Sequence, residues 1–181
     1  MHATVGPATL AKLNQPYGLT FDSLNTTLYF TEVFNGVVRM VSPSGIISVV
    51  AGVLGSNLCG YLGNRATGTL SRLARNIALA VDGNDGFVTQ DANDYVIRRY
   101  SGPTSTIETI GGRVYSPGFT GDGGAATVAR LNYPQGVASD GSGGFFIADS
   151  SNGAIRWLQP TGSTFNISTY AGGFNQTLGY S

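Results

Sequence analysis

The feature that most constrains this chain is a threefold internal repeat. The segments LNQPYGLTFD (Leu13 to Asp22), LARNIALAVD (Leu73 to Asp82) and LNYPQGVASD (Leu131 to Asp140) align without gaps, at spacings of 60 and 58 residues. A second matching block follows each one: LYFTEVFNGVVRMV, GFVTQDANDYVIRRY and GFFIADSSNGAIRWL, which bring Arg39, Arg98 and Arg156 into register. The closing pieces are SVVAG, ETIGG and STYAGG. A unit recurring three times in 181 residues is one supersecondary structure used repeatedly, so a single architecture runs throughout.

Within each copy, four short runs of β-branched and aromatic residues are separated by Gly, Asn, Asp or Pro. The pattern predicts a first strand at about 17–21, 77–81 and 136–139, and a second at about 28–31, 86–90 and 145–148. A third is expected at about 37–41, 95–100 and 154–158, and a fourth at about 46–50, 106–110 and 165–170. Asp82-Gly-Asn-Asp-Gly and Asp140-Gly-Ser-Gly-Gly supply positive φ angles for the first hairpin, and Phe34-Asn-Gly and Ser151-Asn-Gly for the second. Pro43 and Pro160 mark the third turn, because proline is excluded from strand interiors. Helical periodicity is missing, apart from a turn or two at 125–131. The expected fold class is all-β, with modules at about 13–52, 73–112 and 131–173 and long linkers at 53–72 and 113–130.

Charge excludes some partners. Lys+Arg and Asp+Glu both total 10, leaving no positive excess for nucleic acid or an acidic membrane surface. Charged residues make up only 11%, so the surface is polar through hydroxyls and amides, which points to solubility supplied by attached sugar. Asn25-Thr-Thr, Asn166-Ile-Ser and Asn175-Gln-Thr fit the N-glycosylation pattern, although a chain rich in Asn, Ser and Thr also produces such triplets by chance. The longest apolar stretch, Ile46 to Leu54, is too short to span a membrane. The chain does not open with a basic segment and an apolar core, so an extracellular protein with this sequence would be a mature or excised part. Cys59, the single cysteine, is either a small buried residue or one half of an intermolecular disulfide.

Catalytic groups are scarce. His2 is the only histidine, which argues against a Ser-His-Asp triad and against a multi-histidine metal site. Asp22, Asp82 and Asp140, with Asp91 and Asp149, either accept hydrogen bonds from turn amides or line a channel for a cation. Arg39, Arg98 and Arg156 either form a repeated ion pair or carbonyl clamp between neighbouring modules or grip an anionic ligand. Asp122, a lone carboxylate in a Gly-rich loop, makes a weak calcium site. No residue is assigned to catalysis, a cofactor or a metal.

The string L-x-x-P-x-G-[LV], then Asp, then [LF]-[YF]-[FI]-[TA], then N-G-x-[VI]-R, then [VY]-A-G, resembles the NHL repeat across nearly the whole chain. The first and third copies fit best, and the second has Asn76-Ile-Ala in place of Pro-x-Gly. The linker Gly121-Asp-Gly-Gly-Ala-Ala-Thr-Val-Ala-Arg-Leu is similar to the G-D-G-G-x-A insertion of extended NHL repeats. The resemblance implies β-propeller blades, commonly six to a ring. Such proteins serve mostly as binding or scaffolding platforms, a minority being lyases or hydrolases.

Three modules cannot close a ring of about 4 to 8 blades. The 8 residues after Gly173 and the 12 before Leu13 together match the 20 of the first linker. The expectation is therefore half of a six-bladed propeller, completed by copies of itself docking head to tail into a ring or filament, or by adjoining blades of a longer chain. The function expected is that of a non-enzymatic, glycosylated, structural module at the cell surface or outside the cell. The alternatives are a ligand- or protein-binding propeller fragment of a larger receptor or sensor, and a lyase or hydrolase.

Overall fold

A computed structural model describes residues 5–54 and 60–173; His2, Cys59 and Asn175 lie outside the described residues. The chain is all-β, in three consecutive antiparallel sheets. The first has the order β1-β5-β4-β3-β2, from β1 (Val5–Pro7), β2 (Pro16–Phe21), β3 (Leu28–Glu32), β4 (Val37–Val41) and β5 (Ile46–Ala51). The middle sheet is β6-β10-β9-β8-β7, from β6 (Ala66–Thr67), β7 (Leu79–Val81), β8 (Phe87–Asp91), β9 (Val96–Ser101) and β10 (Thr106–Gly111). The third is β11-β12-β13-β14, from β11 (Pro134–Ser139), β12 (Phe145–Asp149), β13 (Ala154–Thr161) and β14 (Thr164–Gly172).

The closing A-G or G-G of each repeat has a structural cause. The ladder between the third and fourth strands shifts register beside Val38, at Thr109/Gly111 and beside Ile155, and Gly52, Gly112 and Gly172 follow with φ of 88°, 83° and 73°. A Cβ on any of the three would stand 2.1–2.2 Å from the carbonyl oxygen of Gly36, Tyr95 or Gly153. Only glycine fits that bulge.

Three local features differ from the sequence expectation. The N-terminal segment and the first linker each add an outer strand to the sheet that follows, β1 on β5 and β6 on β10, and the second linker makes only an isolated bridge there, Ala125 to Asn166. A single 3-10 turn comes next, at Ala8–Leu10, Gly68–Leu70 and Ala126–Val128; sequence suggested a turn or two of helix only for the last, at 125–131. Strands of two or three residues have no periodicity to read. Pro160 is the third departure: it lies within β13, opposite Phe165. The β12 ladder ends at Leu158, so from there onward β13 pairs only with β14, and the missing N–H can face an open flank.

The sheets stack face to face. Tyr29, Val38, Val50 and Ala51 of the first sheet form one cluster with Leu73, Leu79, Phe87, Tyr100 and Ile107 of the middle one. Ala80, Val88, Ile97 and Ile110 of the middle sheet form a second with Leu131, Phe145, Ile147, Leu158 and Ile167 of the third. The cores therefore lie between the sheets, and each sheet contributes to the one on either side.

Candidate functional site

Each sheet presents one face to the sheet before it and one to the sheet after it, here called leading and trailing. Because the sheets are repeats, every position at an internal junction has counterparts at the two ends. Leu73 and Leu131, at the head of the middle and third repeats, are 3% and 0% exposed, whereas Leu13 is 46% exposed. Leu19 on the leading face is 64% exposed and its counterpart Leu79 is 8%. On the trailing face, Val50 and Ile110 are 9% and 4% exposed, and Tyr170 of the third sheet is 63%. Phe30 and Ile47 of the first sheet are already shielded, so the open part of its leading face centres on Leu13 and Leu19.

The open trailing face is aromatic. Phe146 lies 5.7 Å from Trp157 and 4.7 Å from Tyr170, and Trp157 meets Tyr170 edge-on at 6.1 Å. At the first junction Tyr29, Phe87 and Tyr100 are in contact across the two sheets, with centroid separations of 5.5 and 4.9 Å. Burial of one such side chain contributes about 1.5–3 kcal/mol. Polar contacts also recur. Gly52 N–H donates to Gly68 O at 3.0 Å and Gly112 N–H to Ala126 O at 2.9 Å, which ties each bulge to the next linker. By the repeat, Gly172 and Ala8 are the unmatched members of that series. Thr31 Oγ1 to Ile77 O (3.3 Å) and Gln90 Nε2 to Gln135 O (3.4 Å) also cross the junctions, but Ala148 stands at that position in the third sheet and offers no such donor.

The three arginines are buried, and Arg98 and Arg156 hold linkers onto sheets. Arg39 pairs with Glu32 at 3.4 Å. Arg98 donates to Gly63 O at 3.1 Å and lies 4.7 Å from the Tyr61 ring. Arg156 pairs with Asp149 (3.4 Å) and with Asp122, donates to Thr120 O (3.2 Å) and lies 4.7 Å from the Phe119 ring. The middle and third clamps thus join each sheet to the linker that precedes it, rather than to the neighbouring sheet. Asp122 is engaged there: partial burial works against its charge, yet hydrogen bonds from Thr169 and the Arg156 cation bring its pKa below the usual carboxylate range.

The recurring acids serve turns. Asp22 accepts from Thr26 and Thr27, Asp82 from the N–H groups of Asn84 and Gly86, and Asp140 from Ser142 and Gly144. The Thr26 amide bond leads in lowering the Asp22 pKa to about 2. Glu32, Asp91 and Asp149 end the second strand and accept the N–H of Asn14, Ala74 and Asn132. Asn35 and Asn152 donate to Glu32 and Asp149, each at 2.8 Å. In the middle sheet Asp94 stands where the amides are, and Asp91 Oδ2 and Asp94 Oδ2 are both buried without a donor. Burial, then the neighbouring carboxylate, pushes the Asp91 pKa well up, and burial raises that of Asp94. A proton held between the two gives each oxygen a bond. Sequence inspection registered Asp91 but not Asp94, although the Asn-Asp-Asn alternation at 35, 94 and 152 was there to see.

Of the sequons, Asn25 is exposed in the β2–β3 hairpin with φ 56°, and Asn166 is half-buried in β14 opposite Gln159. Asn166 shares strand parity with Tyr170, so it lies at the outer end of the open trailing face. Among the described residues no group of three or more His, Cys, Asp or Glu is placed to hold a metal, and no helix is long and apolar enough to cross a membrane.

Successive antiparallel sheets packed face to face, with buried arginine clamps and uncovered end faces, define a propeller-type fold. Residues 131–158 match the NHL repeat. No curated protein matches the chain in sequence. Among solved structures it is similar to a structural genomics protein of unknown function from Bacteroides thetaiotaomicron VPI-5482, with 22% identity and a TM-score of 0.66, over 84% of this chain and 35% of that one. An auxiliary nutrient binding protein from Bacteroides ovatus ATCC 8483 is 19% identical with a TM-score of 0.64, over 82% of this chain and 38% of that one. A chain of a nidogen/laminin complex is 15% identical with a TM-score of 0.57, over 92% of this chain and 55% of that one. At these identities the likeness is one of fold, and the chain spans well under two thirds of each of these proteins.

Proposed function

We propose that this chain is a non-catalytic assembly module, a glycosylated extracellular propeller segment whose open end faces dock head to tail with another copy or with adjoining blades. One observation carries the reading: positions buried at both internal junctions are exposed at the two ends. Tyr170 and the Phe146–Trp157 pair supply the trailing half of a junction, and Leu13 and Leu19 the leading half. The chain already makes this kind of junction twice, so the face that covers one end is of the kind carried at the other. A heterologous contact of this sort closes into a ring or propagates into a filament. Ala148 removes one polar clamp from the end junction, which leaves it more dependent on apolar contact than the internal ones.

The non-enzymatic part of the reading is supported by the engagement of the recurring carboxylates and arginines in turns and clamps. The extracellular part is supported by the low charge, and Asn25 is the best presented sequon among the described residues. The fold likeness to an auxiliary nutrient binding protein and to a chain of a nidogen/laminin complex is compatible with a binding role. Sedimentation velocity of the 181-residue chain over a concentration series tests the assembly. Reversible growth in mass is expected, with filaments or rings under the electron microscope, and a single monomer boundary at every concentration contradicts the proposal.

A further inference from the structure

The third sheet bears a recess that the end faces do not use, and the first sheet supplies the comparison that explains it. Asn14 and Asn132 occupy the same place at the head of their repeats, and Asn35 and Asn152 the same place in the following hairpin turn. In the first sheet the two amides bond to each other, Asn14 Nδ2 donating to Asn35 Oδ1 at 3.3 Å. The third sheet leaves the pair open. Asn152 Nδ2 donates to Gly118 O and Asp149 Oδ2, both at 2.8 Å, while Asn152 Oδ1 has no partner although the residue is buried. Asn132 and Asn152 instead line a recess of about 410 Å³ with Pro117, Gly118 and Phe119. The middle sheet has Ala74 and Asp94 at these places, so no amide pair exists there.

The lining chemistry selects a ligand class. None of the five residues is ionisable, and the charges beneath, Arg156 and Asp149, are paired with each other. A charged ligand would lose hydration without gaining a counter-charge. A neutral ligand must exchange hydrogen bonds with the Asn132 amide at the edge of the recess and lay C–H surface against Pro117 and Phe119. Hydroxyls set on a ring of C–H groups meet both demands, and a compact recess suits one or two rings better than an extended peptide.

We propose that the recess between Pro117–Phe119 and the Asn132/Asn152 amides binds a neutral sugar ring. This site does not depend on head-to-tail docking, so it is tested on the full chain carrying Leu19→Glu, which opens the end junction and leaves the recess untouched. Saturation-transfer NMR and titration calorimetry would use glucose, galactose, mannose, N-acetylglucosamine and their β-linked disaccharides. At least one is expected to bind saturably. Asn132→Ala keeps the Asn132 N–H bond to Asp149 and is expected to weaken binding about tenfold, through loss of one amide's hydrogen bonds. Asn14→Ala, at the closed pair, is expected to change nothing. Absence of binding across the whole panel overturns the proposal, as does binding that Asn132→Ala leaves intact.

Discussion

Leu131 and Leu13 hold the same place in the repeat and opposite environments. Leu131 is fully buried in the cluster that joins the middle and third sheets, whereas Leu13 is 46% exposed, with no sheet packed on it among the described residues. Leu131→Ala should therefore cost about 2–5 kcal/mol of unfolding free energy, the range for a large-to-small change in a packed core. Leu13→Ala should stay within about 0.5 kcal/mol in dilute solution. Urea titrations of the two variants below the association concentration measure the contrast; equal losses would mean that Leu13 is covered by the chain itself.

The Asp91–Asp94 pair makes stability depend on pH in a direction opposite to ordinary ion-paired carboxylates. The folded pKa of Asp91 lies above its unfolded value, so its contribution is fully present below the unfolded pKa and is lost as pH rises through the folded one. Asp94→Asn restores the carboxylate–carboxamide arrangement that Asp149 and Asn152 show at 2.8 Å. The variant should be more stable than the parent by about 1–3 kcal/mol at pH 8, with the gain shrinking toward pH 4. Urea midpoints between those pH values decide it, and a variant less stable than the parent at pH 8 would contradict the shared proton.

Arg156 holds the second linker down through Asp149, Asp122, the Thr120 carbonyl and the Phe119 ring. Lysine has the charge but neither the fork nor the plane. Arg156→Met should cost about 3–5 kcal/mol, since it leaves Asp149 buried without its cation, and Arg156→Lys should recover only part of that. Hydrogen exchange at residues 118–122 should accelerate in both. Unchanged protection there would mean that the linker is held by its backbone bonds alone.

Gly112→Ala tests the bulge. Its φ of 83° and the 2.2 Å approach of a Cβ to Tyr95 O oppose any side chain. A loss of more than about 1–2 kcal/mol is expected by thermal unfolding, against a negligible change for Gly6→Ala, where φ is not positive and nothing lies within 4 Å.

Most of the fold was legible in the residues because the signal was repeated. Three aligned copies of alternating β-branched and aromatic runs, punctuated by Asn-Gly and Asp-Gly, leave little freedom in strand order, and the observed sheets follow it. The middle copy was hardest at Asn76-Ile-Ala, where β7 shortens to Leu79–Val81. The outer strands β1 and β6 were invisible, since Val5–Pro7 and Ala66–Thr67 are too short to carry a period. The functional surfaces were legible only in outline. The exposure of Leu13 and Tyr170 depends on which sheets pack beside them, and the open Asn132/Asn152 pair depends on how the linker passes Gly118, neither of which is a property of local sequence.

The most direct measurement mixes two disabled variants. Leu19→Glu spoils the leading face and leaves the trailing face intact; Tyr170→Arg does the reverse. Sedimentation equilibrium of each alone should give a monomer, and an equimolar mixture should give a one-to-one dimer that grows no further, because a single good junction remains. A mixture that stays monomeric, or either variant assembling by itself as the parent does, would contradict end-face docking.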